Sequence, residues 1–217
     1  MKKDKNTKNV NGTLQLNGIT VSVSIEVPES KLKDLFGTNF GKVQLSTLKA
    51  GETFKTGDHE WVVLEQSGDT TAVIHKDCLE NLRHFDDNSN NWIASEIRNW
   101  LNIEFAKEIE DEIGADNLVE HTPDLSTDDG TLEYKKDNRK DKVSLISCNA
   151  YRKYRKFIPK TDKWYWTLTA YSSEVDTFFV RYVDRGGALG YDCVHISFGG
   201  VRPFCIFSSK IYVTKGE

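Results

Sequence analysis

Paired cysteines are missing from this sequence. Its four, Cys78, Cys148, Cys193 and Cys205, lie far apart with no CxxC spacing, which sets aside zinc ribbons and thioredoxin-like motifs and leaves separate thiols in a reducing compartment. A basic excess is missing too: 29 Lys and Arg stand against 33 Asp and Glu, a net charge of −4 and the wrong sign for a nucleic-acid footprint. No apolar run approaches the length of a membrane span, and the polar opening "MKKDKNTKNVNG" leads into no signal-peptide core. The expectation is synthesis in the cytoplasm without a signal peptide, with no membrane span and no nucleic-acid partner. With only four prolines, 38% hydrophobic residues and five tryptophans, the 217 residues can bury a core that needs no covalent staple.

Catalytic signatures are equally scarce. The histidines (His59, His75, His84, His121 and His195) form no H-x-E or H-x-x-x-H pair, and GxSxG, P-loop and paired-carboxylate patterns are absent. Asp86, Asn88 and Asn90 have the alternate spacing of a calcium loop. No glycine follows Asn90, however, and Ile97 stands where the closing glutamate belongs, so helix capping explains the cluster better. "DLSTDDGTLEYK" fails similarly, with Asp129 at the turn position and Lys135 at the end. No catalytic residue, metal set or cofactor is expected.

What is present falls into three parts. Residues 1–12 are polar and read as a disordered tail. Residues 13–40 hold "TLQLNGITVSVSIEV", whose alternation around Asn17-Gly18 predicts a β-hairpin, followed by a short helix or turn. From residue 41 to 217 the chain reads as strands through Phe54, Trp61, Val63 and Val73, then two consecutive short helices from Trp92 to a stop at Gly114. A polar loop, a "KVSLIS" strand and a "CNAYRKYRKF" helix capped by Ser147 come next, then several strands with Gly and Ser turns. Strands, helices and strands in that order make an α+β pattern rather than a parallel alternation.

The segments "GDHEWVVLEQSGDTTAVIHKDCL", "FDDNSNNWIASEIRNWLN", "WYWTLTA", "VRYVDRGGAL" and "GGVRPFCIFSS" together resemble an uncharacterised family found in clostridial bacteria and their phages. The hallmarks of that family are an aromatic "WWLR" segment and a final "GVRP". It looks like a branch of the C-type-lectin-like superfold, which includes formylglycine-generating enzymes and the variable proteins of diversity-generating retroelements. The resemblance, spanning residues 45 to 209, implies an α+β domain with two or three short helices and small, twisted, mostly antiparallel sheets, plus the N-terminal hairpin. In it Trp164, Trp166, Arg202 and Pro203 are structural. Arg202 would pair with an internal carboxylate or with carbonyls and pin the last strand.

One absence is local. Between Thr167 and Ser209, Glu174 alone represents Lys, Glu, Gln, Met and Trp, although these types make up roughly a fifth of the chain and about nine would be expected. Burial excludes Lys and Glu from a core, yet Asp176, Arg181, Asp184, Arg185, Asp192, His195 and Arg202 remain. Retroelement mutagenesis of adenines in AAC or AAT codons yields an alphabet with Phe, Tyr, Ser, His, Arg, Asp, Gly, Val and Ile but none of those five types. A diversified ligand-binding surface and an ordinary sheet of drifted composition both fit.

On the first reading Tyr171, Ser173, Asp176, Phe178, Arg181, Asp184, Arg185, Tyr191, Asp192, Val194, His195, Ile196 and Phe198 form the exposed binding face. Tyr182, Val183, Ala188, Leu189, Val201 and Phe204 would lie inward. The expected function is non-enzymatic binding of a protein or glycan surface, with the hairpin serving homo-oligomerisation or attachment to a larger assembly such as a phage virion. Two alternatives are a formylglycine-generating-type copper and thiol oxidoreductase using Cys193 and Cys205, and a structural phage component without a ligand of its own.

Overall fold

The computed structural model describes residues 7–16, 19–28, 31, 39 and 41–216. Contacts divide the chain into two units, Met1–Val43 and Gln44–Glu217. In the first, β1 (Thr7–Leu16) and β2 (Ile19–Pro28) pair antiparallel from Thr7 opposite Pro28 to Leu16 opposite Ile19. The expected turn at Asn17-Gly18 lies outside the described residues, as does most of the helix or turn expected after the hairpin. The disordered tail is corrected in part: Thr7 to Gly12 are strand, because β2 is long enough for its Val23–Pro28 half to pair with them. Along β2, Ile19, Val21 and Ile25 are exposed.

A two-residue strand, β3 (Val43–Gln44), spans the boundary. The second unit is mixed α/β with mostly antiparallel sheets. Its larger sheet uses β4 (Thr53–Thr56), β5 (His59–Ser67), β6 (Thr70–His75), β7 (Leu118–Val119), β8 (Val143–Leu145), β12 (Pro203–Ser208) and β13 (Tyr212–Lys215). The order is β13-β4-β5-β6-β12-β7, with β8 also on β12. Central β5 buries Trp61, Val62, Val63 and Leu64 in succession, the continuous apolar run of a strand covered on both faces. On one face the Trp61 ring meets Phe207 at 5.0 Å, and Phe207 meets Phe54 at 6.3 Å. On the other, Val62, Leu64 and Ile74 pack with Tyr151, Tyr154, Tyr165 and Val183.

The region read as two short helices is a short 3-10 turn at Trp92–Ala94 followed by one 18-residue helix, α1. It runs Glu96–Trp100, Leu101–Phe105 and Ala106–Ile113, the middle stretch being π-helical. No Gly or Pro interrupts it, and a π turn absorbs an extra residue without breaking the helix. Asn91 caps the 3-10 turn, Ser95 caps α1 through Arg98 N–H, and Gly114 ends the helix at φ 87°. The second helix, α2 (Cys148–Tyr154), is capped by Ser147 accepting from the Ala150 N–H.

A smaller sheet, ordered β11-β10-β9, contains β9 (Tyr165–Ala170), β10 (Phe179–Val183) and β11 (Leu189–Cys193). Every residue of β9 is buried. Arg202, at the entry to β12, is buried completely. Its Nε donates to His75 O at 2.8 Å, Nη1 to Pro159 O at 3.0 Å and Nη2 to Lys76 O. Of the two partners weighed for it, carbonyls are the ones present.

Candidate functional site

The small sheet decides where most of the predicted binding residues go. Arg181 in β10 lies opposite Tyr191 in β11, and Phe179 opposite Cys193. The Tyr171 N–H donates to Phe179 O, which brings the end of β9 alongside β10. The result is one cluster. The Tyr171 and Tyr191 rings are 5.3 Å apart, Phe179 meets Tyr191 edge-on at 5.5 Å, and the Arg181 guanidinium lies 5.5 Å from Tyr171 and 5.6 Å from Tyr191. Asp128, from the loop before β8, pairs with Arg181 and also accepts from Arg152 Nη2 at 3.3 Å. The two tyrosine rings pack on each other and the guanidinium rests against both, held by the Asp128 carboxylate, an arrangement that retains little rotamer freedom to lose on binding.

Phe198 is also exposed but belongs to a second cluster, 6.0 Å from Trp164, which packs on Trp166 at 4.7 Å and Tyr182 at 5.0 Å. Trp166 is fully buried, and its Nε1 donates to Arg83 O. Pro203 is buried at the start of β12. Phe178 and Tyr191 are a little over half exposed, and Asp176, Arg185 and His195 are exposed as well. Ser173, Asp192 and Ile196 are half-buried. Asp184 is half-buried because its carboxylate caps its own turn, accepting from the Ala188 N–H at 2.8 Å. That turn also pushes Ala188, expected inward, to the surface.

Val194 is a correction. It was expected on the exposed face and is fully buried, because its N–H donates to Phe178 O and its carbonyl accepts from the Phe85 N–H, turning the residue inward just past the end of β11. Strict alternation does not extend beyond Cys193. Phe179 and Asp128 were missed. Phe179 differs from the chosen Phe178 by one position, the shift that reverses a strand's faces, and Asp128 lies in a polar loop with no local signal of its pairing.

The oxygen-rich segment before α1 is structural. Asn90 is buried, donating to Ser172 O and Phe179 O and accepting from the Tyr134 hydroxyl, which ties this loop to the small sheet. Elsewhere, a cleft of about 310 Å³ holds a chain of contacts: Glu108 Oε1 to His59 Nε2 at 3.2 Å, His59 Nδ1 to His75 Nε2 at 3.3 Å, and His75 Nδ1 to Asp77 O at 2.7 Å. Three hydrogen bonds between terminal acceptors need three protons, and two neutral imidazoles carry two. Burial holds the His75 pKa down against the gain of that third proton. Cys78 borders the cleft, but burial pushes its thiol up to about 11, so it stays protonated and is a poor nucleophile.

No helix among the described residues is long and apolar enough to cross a membrane. Comparison with family models, curated proteins and solved structures finds no match to this chain.

Proposed function

We propose that the second unit is a non-enzymatic binding domain whose small sheet presents a recognition face to a protein or glycan surface. The observation that carries this is the Arg181 guanidinium resting against the packed pair Tyr171 and Tyr191, with exposed Phe178 three residues before it and exposed Arg185 four after. Tyr191 and Phe178 add little to the core, so their aromatic area is available to a partner. Rigid rings beside an oriented guanidinium give large contact area at small entropic cost, the usual chemistry of recognition surfaces.

A C-type-lectin-like fold is the architecture we assign to this domain. It is supported by the return of β13 to β4, which sets the last and first long strands of the unit side by side, and by the separate small sheet inserted before β12. Retroelement diversification is proposed for the same face. Burial removes lysine from β9 and from half of β12, but Val175, Asp176, Arg185, His195 and Ser197 are exposed and still avoid it. We assign the hairpin an attachment or oligomerisation role, as in a phage virion. Its exposed Ile19, Val21 and Ile25 support that role, since an isolated two-stranded hairpin is marginal in water. The copper and thiol alternative has weaker support: Cys193 and Cys205 lie on different sheets, and Cys205 is completely buried with its thiol pushed up by that burial.

The test is binding of the labelled chain to bacterial cells and to printed surface polysaccharides. The double variant Tyr191→Ser, Phe178→Ser is compared with a control pair at exposed sites elsewhere, Leu132→Ser, Tyr212→Ser. Loss of binding in the first with retention in the second is expected. Binding unaffected by the first pair, or no binding to any probe, counts against this reading. Sequencing the gene and its flanks in related isolates tests diversification separately: differences concentrated in residues 171–198 beside a template repeat are expected, and scattered differences refute it.

A further inference from the structure

His84, from the loop between β6 and α1, and Glu96, the first residue of α1, line a cleft of about 490 Å³ whose wall includes Leu82, Arg83, Trp100 and Ile103, and Asp87 adds a third side chain of metal-ligand type beside them. His84 Nε2 lies 2.9 Å from Glu96 Oε2 and 4.0 Å from Asp87 Oδ1. One ligand atom from each of the three lies within 4.8 Å of the others. Around a tetrahedral zinc with bonds of about 2.0–2.2 Å, ligand atoms are separated by roughly 3.3–3.6 Å. The two measured separations bracket that spacing, so a cation fits after shifts of roughly half an ångström in exposed side chains.

Charge favours occupancy. Among the described residues neither Asp87 nor Glu96 has a Lys or Arg ion-pair partner, and both turn to the same imidazole. A neutral His84 leaves two carboxylate charges beside each other, which a divalent ion neutralises. The backbone beneath is fixed on both sides. Phe85 is buried with its N–H bonded to Val194 O, and the Asp86 carboxylate accepts from the N–H groups of Asn88, Ser89 and Glu96. In the same cleft the Arg83 guanidinium stacks on Trp100 at 3.9 Å, one positive charge set against the two carboxylates.

We propose that His84, Asp87 and Glu96 bind a divalent transition cation, zinc by ligand chemistry, leaving a coordination position open to the cleft. One nitrogen and two oxygens suit zinc, cobalt or manganese. Calcium and magnesium prefer all-oxygen sets, which argues against them here. Three protein ligands plus an exchangeable one is the open form of a zinc site.

Zinc titration by calorimetry and cobalt titration by visible absorption, on the untagged full chain, decide it. One equivalent bound with a Kd of about 1–100 µM is expected, weakened at least tenfold by His84→Ala and by Glu96→Gln. All three side chains are partly exposed, so both variants should keep the fold, which circular dichroism checks. The imidazole pair of the other cleft is controlled by His59→Ala, which should leave the affinity unchanged. The proposal is overturned by no saturable zinc or cobalt binding below about 1 mM, by affinity insensitive to His84→Ala, by loss of binding in His59→Ala alone, or by saturable binding of calcium but not zinc.

Discussion

Replacing Arg202 with leucine keeps much of the side-chain volume and removes every donor. Arg202 is completely buried and has no carboxylate partner. Its charge is solvated by the carbonyls of His75, Lys76 and Pro159 and by the Tyr165 ring, whose centroid is 5.0 Å from the guanidinium carbon. Each buried carbonyl left without a donor costs roughly 1–3 kcal/mol. Relief of the several kcal/mol spent on dehydrating the guanidinium offsets part of that sum. The net expectation for Arg202→Leu is a loss of about 3–5 kcal/mol, a large share of the 5–15 kcal/mol typical of a domain. Arg202→Lys keeps the charge but offers a compact ammonium in place of a fork, so it should recover only part, leaving a loss of about 2–3 kcal/mol. Urea unfolding followed by tryptophan fluorescence measures both, with an unchanged slope required for the comparison. If Arg202→Leu unfolds within about 1 kcal/mol of the natural chain, the carbonyl cradle is not what holds the start of β12, and the reasoning is refuted.

Three further outcomes are expected. Burial lowers the His121 imidazole to about 4 from an ordinary 6.5. The unfolded chain therefore takes up that proton first, and stability present above pH 6.5 is lost as the pH falls towards 4. The loss amounts to about 3 kcal/mol, and His121→Gln should flatten this slope of urea midpoint against pH. Asp141, fully buried, accepts from Trp92 Nε1 and from Arg98 Nε, both at 2.7 Å. Asp141→Ala leaves the Arg98 Nε and the Trp92 indole N–H without acceptors and the largely buried Arg98 charge without its carboxylate, so the melting temperature should drop by roughly 10 °C, and a shift under 2 °C contradicts the pairing. A Cβ on Gly199 would lie 1.9 Å from Trp166 Nε1, inside a ring that is fully buried. Gly199→Ala should destabilise by about 2 kcal/mol or more and alter the near-ultraviolet circular dichroism, whereas a native-like spectrum and stability show that the ring can yield.

Local pattern made much of the framework readable. The unbroken Trp61–Leu64 run specifies a central strand, and the alternation of "ITVSVSIEV" specifies a paired one. Ser147 and Gly114 mark helix ends because capping is a matter of a few neighbouring residues. The fused helix was less legible, since the π turn at Leu101–Phe105 has no period of its own. At the proposed recognition face, sequence selected Tyr171, Arg181 and Tyr191. Only the fold packed their rings together against one guanidinium, brought Phe179 rather than Phe178 onto Tyr191, and buried Val194.

The sequence by itself determined the strand, helix and strand order, the compositional break after Thr167 and the net negative charge, because these depend on residue type and near spacing. The tertiary structure decided that Asp128 joins Arg181 across 53 positions, that Arg202 finds three carbonyls, and that His84 and Asp87 converge on Glu96. Those meetings depend on which loops a closed set of sheets brings together, and no residue's own neighbours encode that.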